Sequence, residues 1–160
     1  MTATETIAPP KVKDRKMLID GKWVDSASGK TFETINPSTG DTICSVAEGD
    51  KADVDLAVKA ARKALESKGW RNMAPAQRGR LLNKLADLIE ANAKEIAALE
   101  TLDNGKPIRE TRDIDIPLVA RHFYHHAGWA QLMDSEMKDY KEVGVVGQII
   151  PWNFPLLMLA

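Results

Sequence analysis

Cysteine is the scarcest chemistry-bearing residue in this chain: Cys44 stands alone among 160 residues. An internal disulfide framework, which needs pairs, is excluded. An excess of one charge sign is also missing, because 22 Lys and Arg meet 23 Asp and Glu for a net charge of −1. Without a basic surplus, neither nucleic acid nor an anionic membrane surface is expected as a partner. No apolar run approaches the roughly 18 residues of a membrane-spanning helix. Residues 1–16 hold no apolar core of the secretory kind. With Pro9-Pro10 followed by Lys11, Lys13, Arg15 and Lys16, they read as a flexible arm. A cytoplasmic location is the expectation. Low-complexity tracts and internal repeats are absent. So is a P-loop, and Gly144-Val145-Val146-Gly147 does not match the G-x-G-x-x-G fingerprint.

What is present suits one domain with a real core: 44% apolar and 28% charged residues. Met17 to Val46 carries a β pattern. Asp20-Gly21 joins two short apolar runs as a hairpin turn, and Asn36-Pro37-Ser38-Thr39-Gly40 is a second turn between strands. Helices follow. Asp50 and Asp53 have capping-box spacing ahead of a stripe of Val54, Val58, Ala61 and Leu65, with Gly69 as its end. Pro75 opens a second helix whose core face is Leu81, Leu82, Leu85, Leu88 and Ile89, and Ile96, Leu99 and Leu102 extend the pattern beyond Asn92. Asp103 to Pro107 is a break, and a further helix is expected over about Pro117 to Met133. Val143 to Ile150 is β-branched and does not alternate, the pattern of a strand covered on both faces. A lone strand cannot be a sheet, so it calls for partners that this chain does not contain.

Three groups of residues are candidates for chemistry. Asn153 lies between Pro151 and Pro155, in a stiff turn from the expected strand into a helix. Ligands in open α/β sheets bind beyond the carboxyl ends of strands. A neutral amide there can donate to a developing oxyanion, or it can simply satisfy the turn's own backbone. His122 and His126 share a helix face at i and i+4, a metal-site spacing, but no third ligand is near in sequence; packed or solvated histidines are the plainer reading. Cys44 sits in a strand pattern with no base or helix N-terminus nearby and reads as a small buried hydrophobe.

Five blocks carry a resemblance to a known family. They are Ile19-Asp20-Gly21-Lys22-Trp23, Asn36-Pro37-Ser38-Thr39-Gly40, Glu100 through Pro107 (ETLDNGKP), Ala127-Gly128-Trp129-Ala130, and Gly147-Gln148-Ile149-Ile150-Pro151-Trp152-Asn153-Phe154-Pro155. From about Leu18 to Ala160 the chain resembles the N-terminal third of an NAD(P)-dependent aldehyde dehydrogenase. The resemblance implies an α/β fold: a β hairpin, helices, and the first strand of a Rossmann-like coenzyme-binding sheet. It divides the chain into an arm, 1–16, and a partial coenzyme-binding domain, 17–160, with the catalytic domain absent. It makes Asn153 the amide that stabilises the tetrahedral species when a cysteine thiolate attacks an aldehyde. Hydride then passes to the nicotinamide, and a glutamate-activated water releases the acid. Ile149, Ile150, Pro151 and Trp152, with Asn153, match the coenzyme-lining segment, for NAD or NADP with NAD favoured. Thr34, Ile35 and Asp103 match positions that hold a monovalent cation in some members. The histidines match a helix with no metal role.

The chain departs from the family pattern in several places. The family's nucleophile, general base and glycine-rich coenzyme turn lie downstream of the matching region, and Cys44 does not correspond to the nucleophile. The stretch from Met133 to Gly144 is shorter than the polar hairpin that helps build the family's tetramer, and Lys141-Glu142-Val143 replaces a Glu-Pro pair. Within a homo-oligomeric parent, a dimer is therefore expected ahead of a tetramer. Residues 1–160 alone are expected to be inactive. The alternative is a stand-alone non-catalytic module that binds nucleotide weakly or pairs with a full-length subunit.

Overall fold

The computed structural model describes Pro10 to Ala160. Strands β1 (Met17–Ile19) and β2 (Lys22–Val24) form an antiparallel hairpin with Met17 opposite Val24. Asp20 and Gly21 both take positive φ, 52° and 72°, as the tight turn between twisted strands demands. Strands β3 (Thr31–Ile35) and β4 (Thr42–Ala47) form a second antiparallel pair, with a register shift between Thr34 and Ile35. Between them, Ser38 N–H donates to Asn36 Oδ1 at 2.9 Å and Gly40 N–H to the Asn36 carbonyl at 2.8 Å, closing the expected turn. Of the arm expected over 1–16, residues 1–9 lie outside the described residues. The end of the arm is tied to the β region. Arg15 exchanges backbone hydrogen bonds with Ser45 and Ala47, and Ser45 N–H donates to Asp14 Oδ1.

Helix α1 (Lys51–Glu66) is capped as its sequence foretells: Asp50 accepts from Ala52 N–H at 2.8 Å, and Asp53 accepts from Asp50 N–H at 3.0 Å. The other Asp53 oxygen accepts from Ala27 N–H and ties the helix to the β region. The helix ends before Gly69. Ser67 closes α1 and caps a short helix α2 (Lys68–Arg71) that contains Gly69. The apolar stripe of α1 is not core, because Val54 and Val58 are exposed and Asp53 is the residue α1 buries.

The core lies between α3 (Pro75–Ala91) and α6 (Ile116–Glu136), joined by α4 (Ala93–Asn104) and α5 (Ile108–Glu110). It is built from Ala86, Ile89, Ala97, Ile116, Val119 and Ala120. The face of α3 that packs is Gly79, Ala86 and Ile89; Leu81, Leu85 and Leu88 point outward. Small residues allow the close approach, and a Cβ at Gly79 would lie 2.7 Å from the Ala127 carbonyl oxygen on α6. Asn92 splits the long helical pattern into α3 and α4. The last long helix, α6, begins at Ile116 with Pro117 in its first turn, close to the expected start. A π-helical turn, Thr111–Asp115, links α5 to α6, with Ile116 N–H bonded to the Thr111 carbonyl. That wider turn falls just ahead of Pro117, which removes an N–H from the ladder.

Val143 to Ile150 forms no strand, contrary to its pattern. Val143, Val146 and Ile149 are exposed, and no ladder partner exists among the described residues. β-propensity describes fit to a covered sheet surface, and with no neighbouring strand the segment stays irregular. The chain re-forms as α7 (Pro155–Leu159), whose Leu156 and Leu157 pack on the helical core.

Candidate functional site

Asn153 sits in the turn that enters α7, solvent-exposed, with Pro155 at the helix's first position. No hydrogen bond among the described residues engages its side-chain amide. The turn's backbone, in contrast, is held from the opposite side. Gly105, at φ 84°, ends α4 in the left-handed conformation and lies so close to Pro37 that a Cβ would meet its ring at 2.8 Å. That reversal places the residues on either side of Gly105 beneath the turn. Asn104 Nδ2 donates to the Trp152 carbonyl at 2.5 Å, and Lys106 Nζ donates to the Asn153 carbonyl at 3.3 Å. Lys106 Nζ also lies 3.9 Å from the Phe154 ring centroid, a cation–π contact.

Lys106 is itself anchored by an ion pair to Asp115, which the π turn buries to 1% exposure. Glu100, on α4, is 6% exposed and completes a cluster of two carboxyls and one ammonium. Burial, then the hydrogen bond and charge of Asp115, push the Glu100 carboxyl up to about 7, against the opposing pull of Lys106 and the Leu156 N–H. One Glu100 oxygen, Oε1, has no hydrogen-bond partner. Thr101 and Thr111 share a hydroxyl hydrogen bond of 2.8 Å that joins α4 to the π turn beside this cluster. Lys106, Asp115 and Asn104 had no role assigned from sequence. Their only signal was membership of, or nearness to, the ETLDNGKP block.

The remaining candidates fall into three places. Ile149, Pro151 and Trp152 are exposed and Ile150 is half-buried, so the proposed coenzyme-lining segment is an uncovered apolar ridge beside Asn153. Thr34 and Asp103, 69 residues apart, are brought together, the Thr34 hydroxyl donating to Asp103 Oδ1 at 2.6 Å. Ile35 follows at the register shift. Cys44 is buried, and burial raises its thiol pKa. The thiol therefore stays protonated, the state of a packing residue. Two of the three histidine rings engage their own helix: His126 Nδ1 contacts the His122 carbonyl oxygen at 2.8 Å, and Trp129 Nε1–H donates to His125 Nε2 at 3.0 Å. Among the described residues, no three His, Cys, Asp or Glu side chains cluster as metal ligands.

Solved structures place this architecture in a known class. The chain superposes on part of an aldehyde dehydrogenase from Bacillus cereus, a structure in complex with NAD+, at a TM-score of 0.84 and 46% identity, covering 91% of this chain and 32% of that one. An NAD-dependent aldehyde dehydrogenase from Sinorhizobium meliloti matches at a TM-score of 0.83 and 38% identity, over 95% of this chain and 34% of that one. The profile of the aldehyde dehydrogenase family matches residues 23–160, and the chain belongs to that family. Among curated relatives, human mitochondrial aldehyde dehydrogenase is 51% identical over 162 residues, covering 94% of this chain and 31% of its own length. The DhaS protein of Bacillus subtilis (strain 168) is 54% identical over 154 residues, again over 31% of its length. The chain thus spans about a third of the length of these relatives.

Proposed function

We propose that residues 17–160 supply part of the coenzyme-binding domain, and the oxyanion-stabilising turn, to an NAD(P)-dependent oxidation of an aldehyde to a carboxylic acid. The observation that carries this reading is the Asn153 amide: exposed, free of protein partners among the described residues, and fixed by a tethered backbone. An amide occupied with its own turn could not serve; this one is available to donate to an oxygen that gains charge when a thiolate adds to the carbonyl carbon. The thiolate belongs to a cysteine outside these residues, since Cys44 is buried and its pKa is raised. The uncovered apolar surfaces of Ile149 and Trp152 suit the adenosine side of a dinucleotide. NAD or NADP, with NAD favoured, accepts the hydride when bound. The Thr34 hydroxyl, the Ile35 carbonyl and the Asp103 carboxylate offer the hard oxygen donors that a monovalent cation takes. A cytoplasmic homo-oligomer, a dimer before a tetramer, is the matching assembly.

Residues 1–160 can be joined to the remaining two thirds of a relative in place of its matched segment, and NADH formation followed with a simple aldehyde. The joined protein is expected to turn over, and Asn153→Ala to lower kcat by about 10²–10³. Turnover unaffected by Asn153→Ala would remove the oxyanion role.

A further inference from the structure

Among the described residues no strand ladder flanks the turn bearing Asn153. It is held by α4 and its C-terminal loop. We propose that Lys106 is a positioning residue for Asn153, acting with Asn104 as a two-point tether on the backbone of the oxyanion turn and anchored through Asp115. The inference rests on the reading of Asn153 as the oxyanion donor, and names the group that sets its geometry.

Four observations support it. Asn104 and Lys106 flank the left-handed Gly105, and they grip consecutive carbonyls, those of Trp152 and Asn153. The Lys106 ammonium also packs on the Phe154 ring, so three successive residues of the turn are contacted from the 104–106 loop. The Lys106 side chain is 16% exposed and its Asp115 partner 2% exposed, so the ion pair is shielded from the water that weakens surface pairs. Finally, Val143 to Ile150, on the other side of the turn, has no ladder to hold it among the described residues. Fixing the Asn153 carbonyl fixes the peptide plane that follows it and restricts where the side-chain amide can lie. An oxyanion donor must sit within about 2.7–3.1 Å of the developing charge, so a small drift of the turn is costly.

A merely structural lysine would lower the amount of folded protein without acting through Asn153. The discriminating test is a double-mutant cycle in the joined protein described above, using Lys106→Met, Asn153→Ala and both. Lys106→Met is expected to lower kcat by about ten- to a hundredfold with KM changed by less than about threefold. In the Asn153→Ala background the same change is expected to cost less than about threefold, because the group it positions is gone. Equal losses in both backgrounds would overturn the proposal. Because Lys106→Met strands a buried carboxylate, Lys106→Met/Asp115→Asn is measured alongside, with the same pattern expected. A second readout needs no activity. In the 160-residue chain, 15N order parameters of Asn153 and Phe154 are expected to fall from about 0.85 to below about 0.6 in the double variant, with α6 unchanged. Unchanged order parameters would also overturn the tether. A silent unsubstituted joined protein would instead count against the proposed function, leaving the order parameters to judge Lys106.

Discussion

Glu100 departs from ordinary carboxylate behaviour. Its carboxyl is buried against Asp115, and its pKa rises from 4.5 to about 7. Between those values the folded chain keeps a proton that the unfolded chain has released. The unfolded state then binds fewer protons, so stability falls as pH rises from about 4.5 to about 7 and levels off above that. The loss attributable to this group is at most about 3 kcal/mol. Urea unfolding at pH 5 and pH 8 is expected to show that decline in the native sequence and a smaller one in Glu100→Gln. Equal declines would place the titrating group elsewhere. Little of this was legible in sequence, because Glu100 occupies an ordinary helical position and its partner is fifteen residues away across a break. Asn153 was legible as a stiffly held polar group, since Pro151 and Pro155 declare the turn. Its availability was not, because that depends on which backbone groups Lys106 and Asn104 hold.

At the scale of elements, local chemistry follows from the sequence and burial follows from it less closely. The Asp50–Asp53 capping box, the Asp20-Gly21 hairpin and the Asn36 turn depend on nearest neighbours and formed as their residues dictate. Which face of a helix is buried depends on its partner. The sequence pattern puts the leucines of α3 inside, but the packed seam is made of Gly79, Ala86 and Ile89, and α6 approaches so closely at Gly79 that a Cβ there would meet the Ala127 carbonyl oxygen. Val143 to Ile150 carries a strand's composition without the neighbours that would make it one. The helix seam gives a direct prediction. In Gly79→Ala the new methyl must displace α6 near Ala127. Overpacking of about 1–3 kcal/mol outweighs the helix-propensity gain of up to about 1 kcal/mol, for a net loss of about 1–2 kcal/mol. Thermal unfolding reads it; a stabilised variant would show that the two helices separate freely.

The whole molecule exposes a great deal of apolar surface. Trp23, Phe32, Val54, Leu56, Trp152 and Ile149, three of them aromatic, are all open to solvent. The chain is also about a third of its relatives' length. Residues 1–160 alone are therefore expected to bind a hydrophobic dye such as anilinonaphthalene sulfonate strongly and to form no NADH from aldehyde and NAD+. Joined to the rest of a relative, the same residues are expected to lose most of the dye signal. Dye binding unchanged on joining would mean that these faces are covered by something other than the family fold. The central claim, that the Asn153 amide donates to a developing oxyanion, is tested most directly by single-turnover NADH formation in the joined protein, comparing Asn153→Asp with Asn153→Ala. Aspartate keeps the size and turn-forming capacity of asparagine but offers a charge in place of a donor. The account predicts that Asn153→Asp is at least as slow as Asn153→Ala, each down by about 10²–10³. Near-normal hydride formation in Asn153→Asp would contradict it and leave Asn153 a residue of the turn alone.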